Sequence, residues 1–62
     1  MDYSKLIKQL REKLFLSQED LGKQLGVSYV TICRWEQGKY EPTIKLKKKL
    51  NELFINAKII EE

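Results

Sequence analysis

The sequence predicts an all-α fold, a compact bundle of four to five helices formed by a single domain of 62 residues. Apolar residues recur at intervals of three and four along four segments, which is the spacing of a helix that buries one face. Serine residues stand where two of these segments begin, and glycine residues stand where two end, as in capped helices. The helices are expected at residues 3–13, 18–25, 29–37 and 43–54, with a tail at 55–62.

The first and fourth predicted helices each carry one apolar stripe. The stripes consist of Leu6, Ile7, Leu10 and Leu14 in the first helix and of Leu46, Leu50, Leu53, Phe54 and Ala57 in the fourth. Pro42 and Thr43 are expected to begin the fourth helix, because the first turn of a helix does not use the N–H that proline lacks. The residues from Ile55 onward either prolong this helix or fray. Ile55, Ile59 and Ile60 are expected to cover the core or to contact a second copy of the chain.

The second and third predicted helices are joined by a tight turn. Ser17 is a good N-cap, and Asp20 three residues later gives a weaker version of the capping box. Gly26 is expected to end the second helix in the left-handed conformation, and Ser28 to cap the third. Gly22 lies inside the second helix, where glycine costs about 1 kcal/mol relative to alanine. A close approach of the third helix at Gly22 would explain this cost.

The third predicted helix has two unlike faces, and Gly38 closes it. At about 100° per residue, Thr31, Ile32 and Trp35 fall on one side, where Ile32 and Trp35 are expected to anchor the core. The outward arc carries Tyr29, Val30, Cys33, Arg34 and Gln37. A short helix with one buried face and one mixed readout face suits the major groove of double-stranded DNA.

The charge pattern is basic. The chain has 12 Lys and Arg residues against 9 Asp and Glu residues, a formal net charge of +3. Five lysines fall within eleven residues, opposed there only by Glu41; they are Lys39, Lys45, Lys47, Lys48 and Lys49. Such a cluster favours contact with phosphate backbones. The alternative is an ordinary solvated helix face.

Several classes of function are excluded or disfavoured. Cys33 is the only cysteine and the chain has no histidine, so neither an internal disulfide nor a Cys/His zinc site can form, and no metal or cofactor is expected. Glu19 and Asp20 are adjacent on a helix and do not face each other as an acid/base pair would, so we expect no enzyme and no small-molecule substrate. No apolar run is long enough to span a membrane and no signal segment is visible, which favours a cytoplasmic protein.

The segment from Leu16 to Pro42 resembles the Cro/C1-type helix-turn-helix family of lambdoid phage repressors, often called the XRE family. The resemblance covers residues 3–54 and has no gap in its core motif. It rests on the Ser17-Gln18 helix start, the Leu25-Gly26-Val27-Ser28 turn and the Arg34-Trp35-Glu36-Gln37-Gly38-Lys39 segment. The stretch from Ser28 to Glu36 also looks like a subgroup found in small regulators and in the DNA-binding halves of antitoxins. The resemblance implies a lambda-repressor-like DNA-binding domain.

The resemblance also implies roles for single residues. Side chains at the start and outer face of the third helix approach base edges, those around them approach the phosphate backbone, and Arg11 pairs with Glu36 inside the protein. The expected DNA-binding residues are Gln18, Ser28, Tyr29, Val30, Thr31, Arg34, Gln37, Lys39, Thr43 and Lys45. The expected structural residues are Arg11, Trp35 and Glu36. From the residues alone, Arg11 and Glu36 could equally be two exposed charges.

Two functions follow from these observations. The first is a sequence-specific regulator of transcription, a repressor, that binds double-stranded DNA as a homodimer on a pseudo-palindromic operator. The alternative is an antitoxin or adaptor that uses the same fold to bind a protein partner. Many members of the family dimerise through a fifth helix or a C-terminal domain, so the mode of dimerisation is left open. Met1 and the modest length favour a complete small regulator over a domain of a longer protein.

Overall fold

The computed structural model describes residues 2–61 and contains four α-helices in this range. They are α1 (Tyr3–Leu14), α2 (Gln18–Leu25), α3 (Tyr29–Glu36) and α4 (Ile44–Asn56). The all-α class is confirmed, since no strand occurs in this range, and neither does a fifth helix. Met1 and Glu62 lie outside the described residues, so the last residue of the predicted tail is among those not described.

Each helix begins at a side chain that accepts a hydrogen bond from the backbone N–H three residues later. These N-caps are Asp2, Ser17, Ser28 and Thr43. Ser17 and Asp20 form a full capping box, with reciprocal bonds of 3.0 Å and 3.2 Å. The prediction that Pro42 and Thr43 begin the fourth helix is wrong by one to two residues, because Thr43 is the cap and the first helical residue is Ile44.

Three helix ends also differ from prediction by one or two residues, and the first is that of α1, which ends at Leu14 rather than at residue 13. α3 stops at Glu36 rather than at Gln37, since Gln37 is the C-cap residue that leads into the turn at Gly38. α4 continues to Asn56, past the predicted end at residue 54. It stops where Lys58 takes a positive φ of 60° and the N–H of Ile59 donates to the oxygen of Phe54 at 2.8 Å.

The core draws two apolar side chains from each helix. Its members are Ile7, Leu10, Leu21, Leu25, Ile32, Trp35, Leu50 and Phe54. Burial of a side chain of this size contributes about 1.5–3 kcal/mol, so this cluster is the main source of stability. Ile59 and Ile60 are partly buried against it and cover the core from the tail. Leu14, predicted as part of the first stripe, is 43% exposed, because α1 ends there and the chain turns at Phe15.

Gly22 makes room for the turn between α2 and α3. A Cβ atom at this position would lie 2.6 Å from the carbonyl oxygen of Val27 and 3.4 Å from the carbonyl carbon of Ser28. The close approach that the sequence predicts is therefore with the backbone of the turn, and not with the body of α3. The expectation named the wrong neighbour because the turn folds back over α2 before α3 begins.

Candidate nucleic-acid interface

An ion pair joins α1 to the end of α3. The Nε and Nη2 atoms of Arg11 donate hydrogen bonds to the two carboxylate oxygens of Glu36, at 2.5 Å and 2.8 Å. The Nη1 atom of Arg11 donates to the backbone oxygen of Leu16, in the loop before α2, at 3.2 Å. The Glu36 side chain is 4% exposed, so two exposed charges do not describe this pair. The pair holds α3 against α1 and against the loop that leads into α2.

Gln18, the first residue of α2, contacts the same carboxylate. Its Nε2 atom donates to Oε1 of Glu36 at 3.3 Å. Burial by itself raises the pKa of Glu36, but the hydrogen bonds from Arg11 and Gln18 and the charge of Arg11 outweigh it, so the pKa lies below its ordinary value. The hydrogen bond with Glu36 raises the pKa of Arg11 in turn. Both groups are charged at neutral pH, and Glu36 links the first three helices.

α3 presents a mixed polar and apolar face to solvent. Tyr29 is 57% exposed and Val30 is 39% exposed, and Arg34 and Gln37 are exposed beside them. Cys33, which the sequence places on the same outward arc, is half-buried and accepts a hydrogen bond from Nε2 of Gln37 at 3.4 Å. The outward face of α3 therefore consists mainly of two polar side chains, one aromatic side chain and one aliphatic side chain.

The opposite face of α3 is committed to the core. Ile32 is completely buried and Trp35 is 4% exposed. Thr31, which the sequence places on this inward side, is half-buried, and its hydroxyl lies 3.1 Å from that of Ser28. Because Ile32 and Trp35 fix the rotation of α3, the outward side chains keep a defined orientation.

Other predicted site residues surround this face. Gln18 and Tyr29 line one open cleft together with Arg11, Ser17 and Glu19, so the starts of α2 and α3 lie side by side. Lys39 is exposed, and its N–H donates to the backbone oxygen of Arg34 at 3.1 Å. Thr43 and Lys45 are exposed at the start of α4, and among the described residues no hydrogen bond joins either of them to α3.

The lysines of α4 differ in their surroundings. Lys47 lies 3.6 Å from Glu41 and 5.3 Å from the centre of the Tyr3 ring, and it is half-buried. Lys48 and Lys49 are exposed, as an ordinary solvated helix face requires. Lys47 therefore has intramolecular partners, whereas Lys48 and Lys49 contribute positive charge to the surface.

Sequence reasoning missed three exposed apolar or aromatic residues. Phe15 is 92% exposed, Ile44 is 87% exposed and Tyr40 is 62% exposed. The Cζ atom of Arg34 lies 5.7 Å from the centre of the Tyr40 ring, so Tyr40 borders the α3 face. An aromatic residue in a short, otherwise polar loop directly after a readout helix is the signal that could have identified Tyr40.

Two other kinds of feature do not occur within residues 2–61. No cluster of Cys, Asp or Glu side chains in this range is arranged to hold a metal ion. None of the helices in this range is both long enough and apolar enough to cross a membrane.

The chain is similar to proteins of known family. The helix-turn-helix family model matches residues 7–54. An uncharacterized HTH-type transcriptional regulator of Archaeoglobus fulgidus is 47% identical over 53 residues, covering 86% of this chain and 73% of that protein. One from Methanocaldococcus jannaschii is 54% identical over 39 residues, covering 63% of this chain and 59% of its own length. No solved structure matches the chain significantly.

A further relative is much longer than this chain. The HTH-type transcriptional activator BcrR of Enterococcus faecalis is 37% identical over 54 residues, which are 87% of this chain and 26% of BcrR. The family model and the Archaeoglobus protein each match more than two thirds of the chain, and both include α2, the turn and α3. The chain therefore belongs to the Cro/C1-type helix-turn-helix family of DNA-binding transcriptional regulators.

Proposed function

We propose that this protein represses transcription by binding a specific sequence of double-stranded DNA with α3 in the major groove. The observation that carries the proposal is the division of α3 into a buried face and an exposed mixed face. Ile32 and Trp35 fix the helix in the core, while Arg34 and Gln37 are exposed on its other side. A major groove about 12 Å wide admits such a helix. Repression needs no contact beyond occupancy of the operator.

Arg34 is the proposed reader of a guanine. Its guanidinium can donate two parallel hydrogen bonds to O6 and N7, which give about 1–3 kcal/mol of discrimination against another base. Val30 offers an aliphatic surface to the methyl group of a thymine. Tyr29 and Gln37 complete the face, Tyr29 by stacking or by a hydrogen bond to a phosphate and Gln37 by its amide group.

The remaining predicted DNA-binding residues are proposed to contact the phosphate backbone. They are Gln18, Ser28, Thr31, Lys39, Thr43 and Lys45. The backbone N–H groups that open α4 after Thr43 point away from the helix and suit an anion. Gln18 has a second role in this proposal, because its side-chain N–H group already donates to Glu36. The second N–H of its Nε2 atom is left to donate to a phosphate oxygen.

A homodimer is proposed to place two copies of α3 in successive major grooves about 34 Å apart on a pseudo-palindrome. The test is selection of bound sequences from random duplex DNA at about 100–150 mM salt, where phosphate contacts alone give weak binding. An enriched inverted repeat supports the dimeric regulator. A single short enriched site supports sequence reading by one copy. No enrichment would overturn the proposal and favour the antitoxin or adaptor alternative.

Two variants separate base reading from backbone contact. Arg34→Ala is expected to relax the preference at one base pair in each half-site, while Lys39→Ala weakens binding to all sequences and reduces the salt slope by about 1. Both side chains are exposed, so neither change is expected to unfold the protein. An unchanged base preference in Arg34→Ala would show that Arg34 does not read the sequence.

A further inference from the structure

Tyr40, which lies outside the predicted readout set, contacts its central member. The Cζ atom of Arg34 lies 5.7 Å from the centre of the Tyr40 ring, within the distance of about 6 Å at which a cation is attracted to an aromatic face. The Tyr40 side chain is 62% exposed, so its ring is not part of the core. Tyr40 thus borders the α3 face from outside the core, and it contacts that face through Arg34.

The backbone holds Tyr40 beside the last turn of α3. Gly38 has a positive φ of 75°, and its N–H donates to the oxygen of Trp35 at 3.1 Å. The N–H of Lys39 donates to the oxygen of Arg34, also at 3.1 Å. Two residues after Tyr40, Pro42 is buried. Tyr40 thus lies between a hydrogen-bonded turn and a buried proline, which fix the position of its backbone beside α3.

The contact with the Tyr40 ring leaves the hydrogen-bond donors of Arg34 unused. The salt bridges among residues 2–61 involve Arg11, Lys23 and Lys47, and Arg34 is in none of them. A carboxylate partner would occupy the N–H groups that a guanine needs, whereas an aromatic face leaves them available. Arginine also has one of the largest side-chain entropies to lose on binding. A restraint in the free protein reduces that loss.

We propose that Tyr40 is a positioning residue that holds the Arg34 guanidinium for base reading and so sharpens the sequence preference of the protein. The proposal rests on the function proposed above, since it requires that Arg34 reads a base. It differs from a direct hydrogen bond between Tyr40 and DNA in that the ring is required and the hydroxyl group is not.

The test compares Tyr40→Phe with Tyr40→Leu, because phenylalanine keeps the ring and leucine keeps only an apolar side chain. The measurement is the ratio of affinities for the selected duplex and for the same duplex changed at the base pair that depends on Arg34. Tyr40→Phe is expected to keep this ratio, and Tyr40→Leu to lower it about two- to fivefold. The affinity for an unrelated duplex is expected to stay unchanged in both variants, as is the midpoint of thermal unfolding.

The same substitutions in an Arg34→Ala background identify the route of the effect. Without Arg34, Tyr40→Leu is expected to leave the affinity for the selected duplex unchanged, because the coupling runs through the guanidinium. An equal loss in Tyr40→Phe and Tyr40→Leu, or a loss that persists without Arg34, overturns the positioning role. So does a wild-type ratio in Tyr40→Leu while Arg34→Ala loses preference. A protein that selects no sequence overturns the proposed function instead. A sequence preference that does not depend on Arg34 overturns the reading role of Arg34 and, with it, the positioning role of Tyr40.

Discussion

The helices of the α2–turn–α3 unit and the outer helices α1 and α4 end with the same backbone conformation, but with different residue types. Every helix is followed by a residue in the left-handed conformation. In the central unit these residues are Gly26 and Gly38, each with φ of 75°. At the outer ends they are Phe15 with φ of 56° and Lys58 with φ of 60°. For a residue with a Cβ atom this conformation costs roughly 1–2 kcal/mol, which glycine avoids.

The comparison shows where the chain tolerates strain. The central unit combines strain-free glycine turns with a capping box at Ser17 and with the carboxylate of Glu36, which receives hydrogen bonds from two other elements. The end of α1 has a fully left-handed Phe15 whose side chain is 92% exposed and therefore adds little burial. The helices that orient the candidate interface thus have less backbone strain at their ends than α1 and α4.

The largest expected effect comes from breaking the central unit at Glu36. Glu36→Ala leaves the guanidinium of Arg11 without its partner, and loss of one member of a buried pair costs about 3–5 kcal/mol. We expect about 3 kcal/mol, the lower end, because the Arg11 side chain is 22% exposed and can regain water. For a domain of this size the unfolding midpoint should fall by roughly 12–24 °C in thermal denaturation followed by circular dichroism.

A matched control is Glu19→Ala, which removes a carboxylate from an exposed pair with Lys23 at 3.5 Å. Surface pairs four residues apart on a helix contribute about 0.3–0.5 kcal/mol, so this variant should unfold close to wild type. If Glu36→Ala and Glu19→Ala were equally stable, the central unit would not depend on the buried carboxylate.

The stability of the protein should depend on pH through the Glu36 carboxylate. The pKa of Glu36 is lower in the folded protein than its ordinary value of 4.5, so the unfolded chain takes up the proton more readily. The stabilisation is fully present above the unfolded pKa and is lost as the pH falls through the folded pKa. We expect the unfolding midpoint to decrease more steeply on acidification in wild type than in Glu36→Gln, which has no carboxylate to protonate at this position.

The comparison with Glu36→Gln is needed because other acids respond in the same direction. Hydrogen bonds with Ser4 lower the pKa of Asp2, and hydrogen bonds with Ser17 lower that of Asp20. These groups are present in both proteins, so the difference between the two acid profiles reports Glu36. Identical profiles between neutral pH and about pH 3 would mean that Glu36 does not couple folding to protonation.

The predictable part of the fold is the part in which residue type and backbone conformation agree. Gly26 and Gly38 indicate helix ends because glycine is the residue that favours a positive φ. Phe15 and Lys58 take the same conformation, but neither residue type signals it, and the exposure of Leu14 was missed for the same reason. Apolar spacing identified Ile32 and Trp35 as core residues, since a helix buries one face at a fixed period.

Helical periodicity predicted the positions of the site residues on α3, but not the contacts that cross a turn. The outward positions of Tyr29 and Arg34 follow from their register with Trp35. The contact between Arg34 and Tyr40 depends on how the chain folds back after Gly38, which periodicity does not describe. The same holds for Gly22, whose true neighbour is the backbone of Val27, and not a helix. Contacts made across a turn are set by backbone dihedral angles that a residue pattern does not specify.

The smallest expected effect is a gain in stability at the outer end of α1. Phe15→Gly relieves the left-handed strain but adds freedom to the unfolded chain, and the balance is an increase of about 0.5–1 kcal/mol in the free energy of unfolding. The loss of the ring costs little, because the side chain is 92% exposed. Urea denaturation at equal protein concentration measures the change.

Two companion variants decide whether backbone strain is the cause. Phe15→Ala removes the same exposed ring but keeps a Cβ atom, so it should show no comparable gain. Gly26→Ala introduces a Cβ atom at φ of 75° in the central unit, where nothing lies within 4 Å of it, so any loss is conformational and not steric. We expect a loss of about 1 kcal/mol there. Opposite signs for Phe15→Gly and Gly26→Ala would establish that backbone strain differs between the two helix ends. A gain in Phe15→Ala equal to that in Phe15→Gly would assign the effect to the exposed ring.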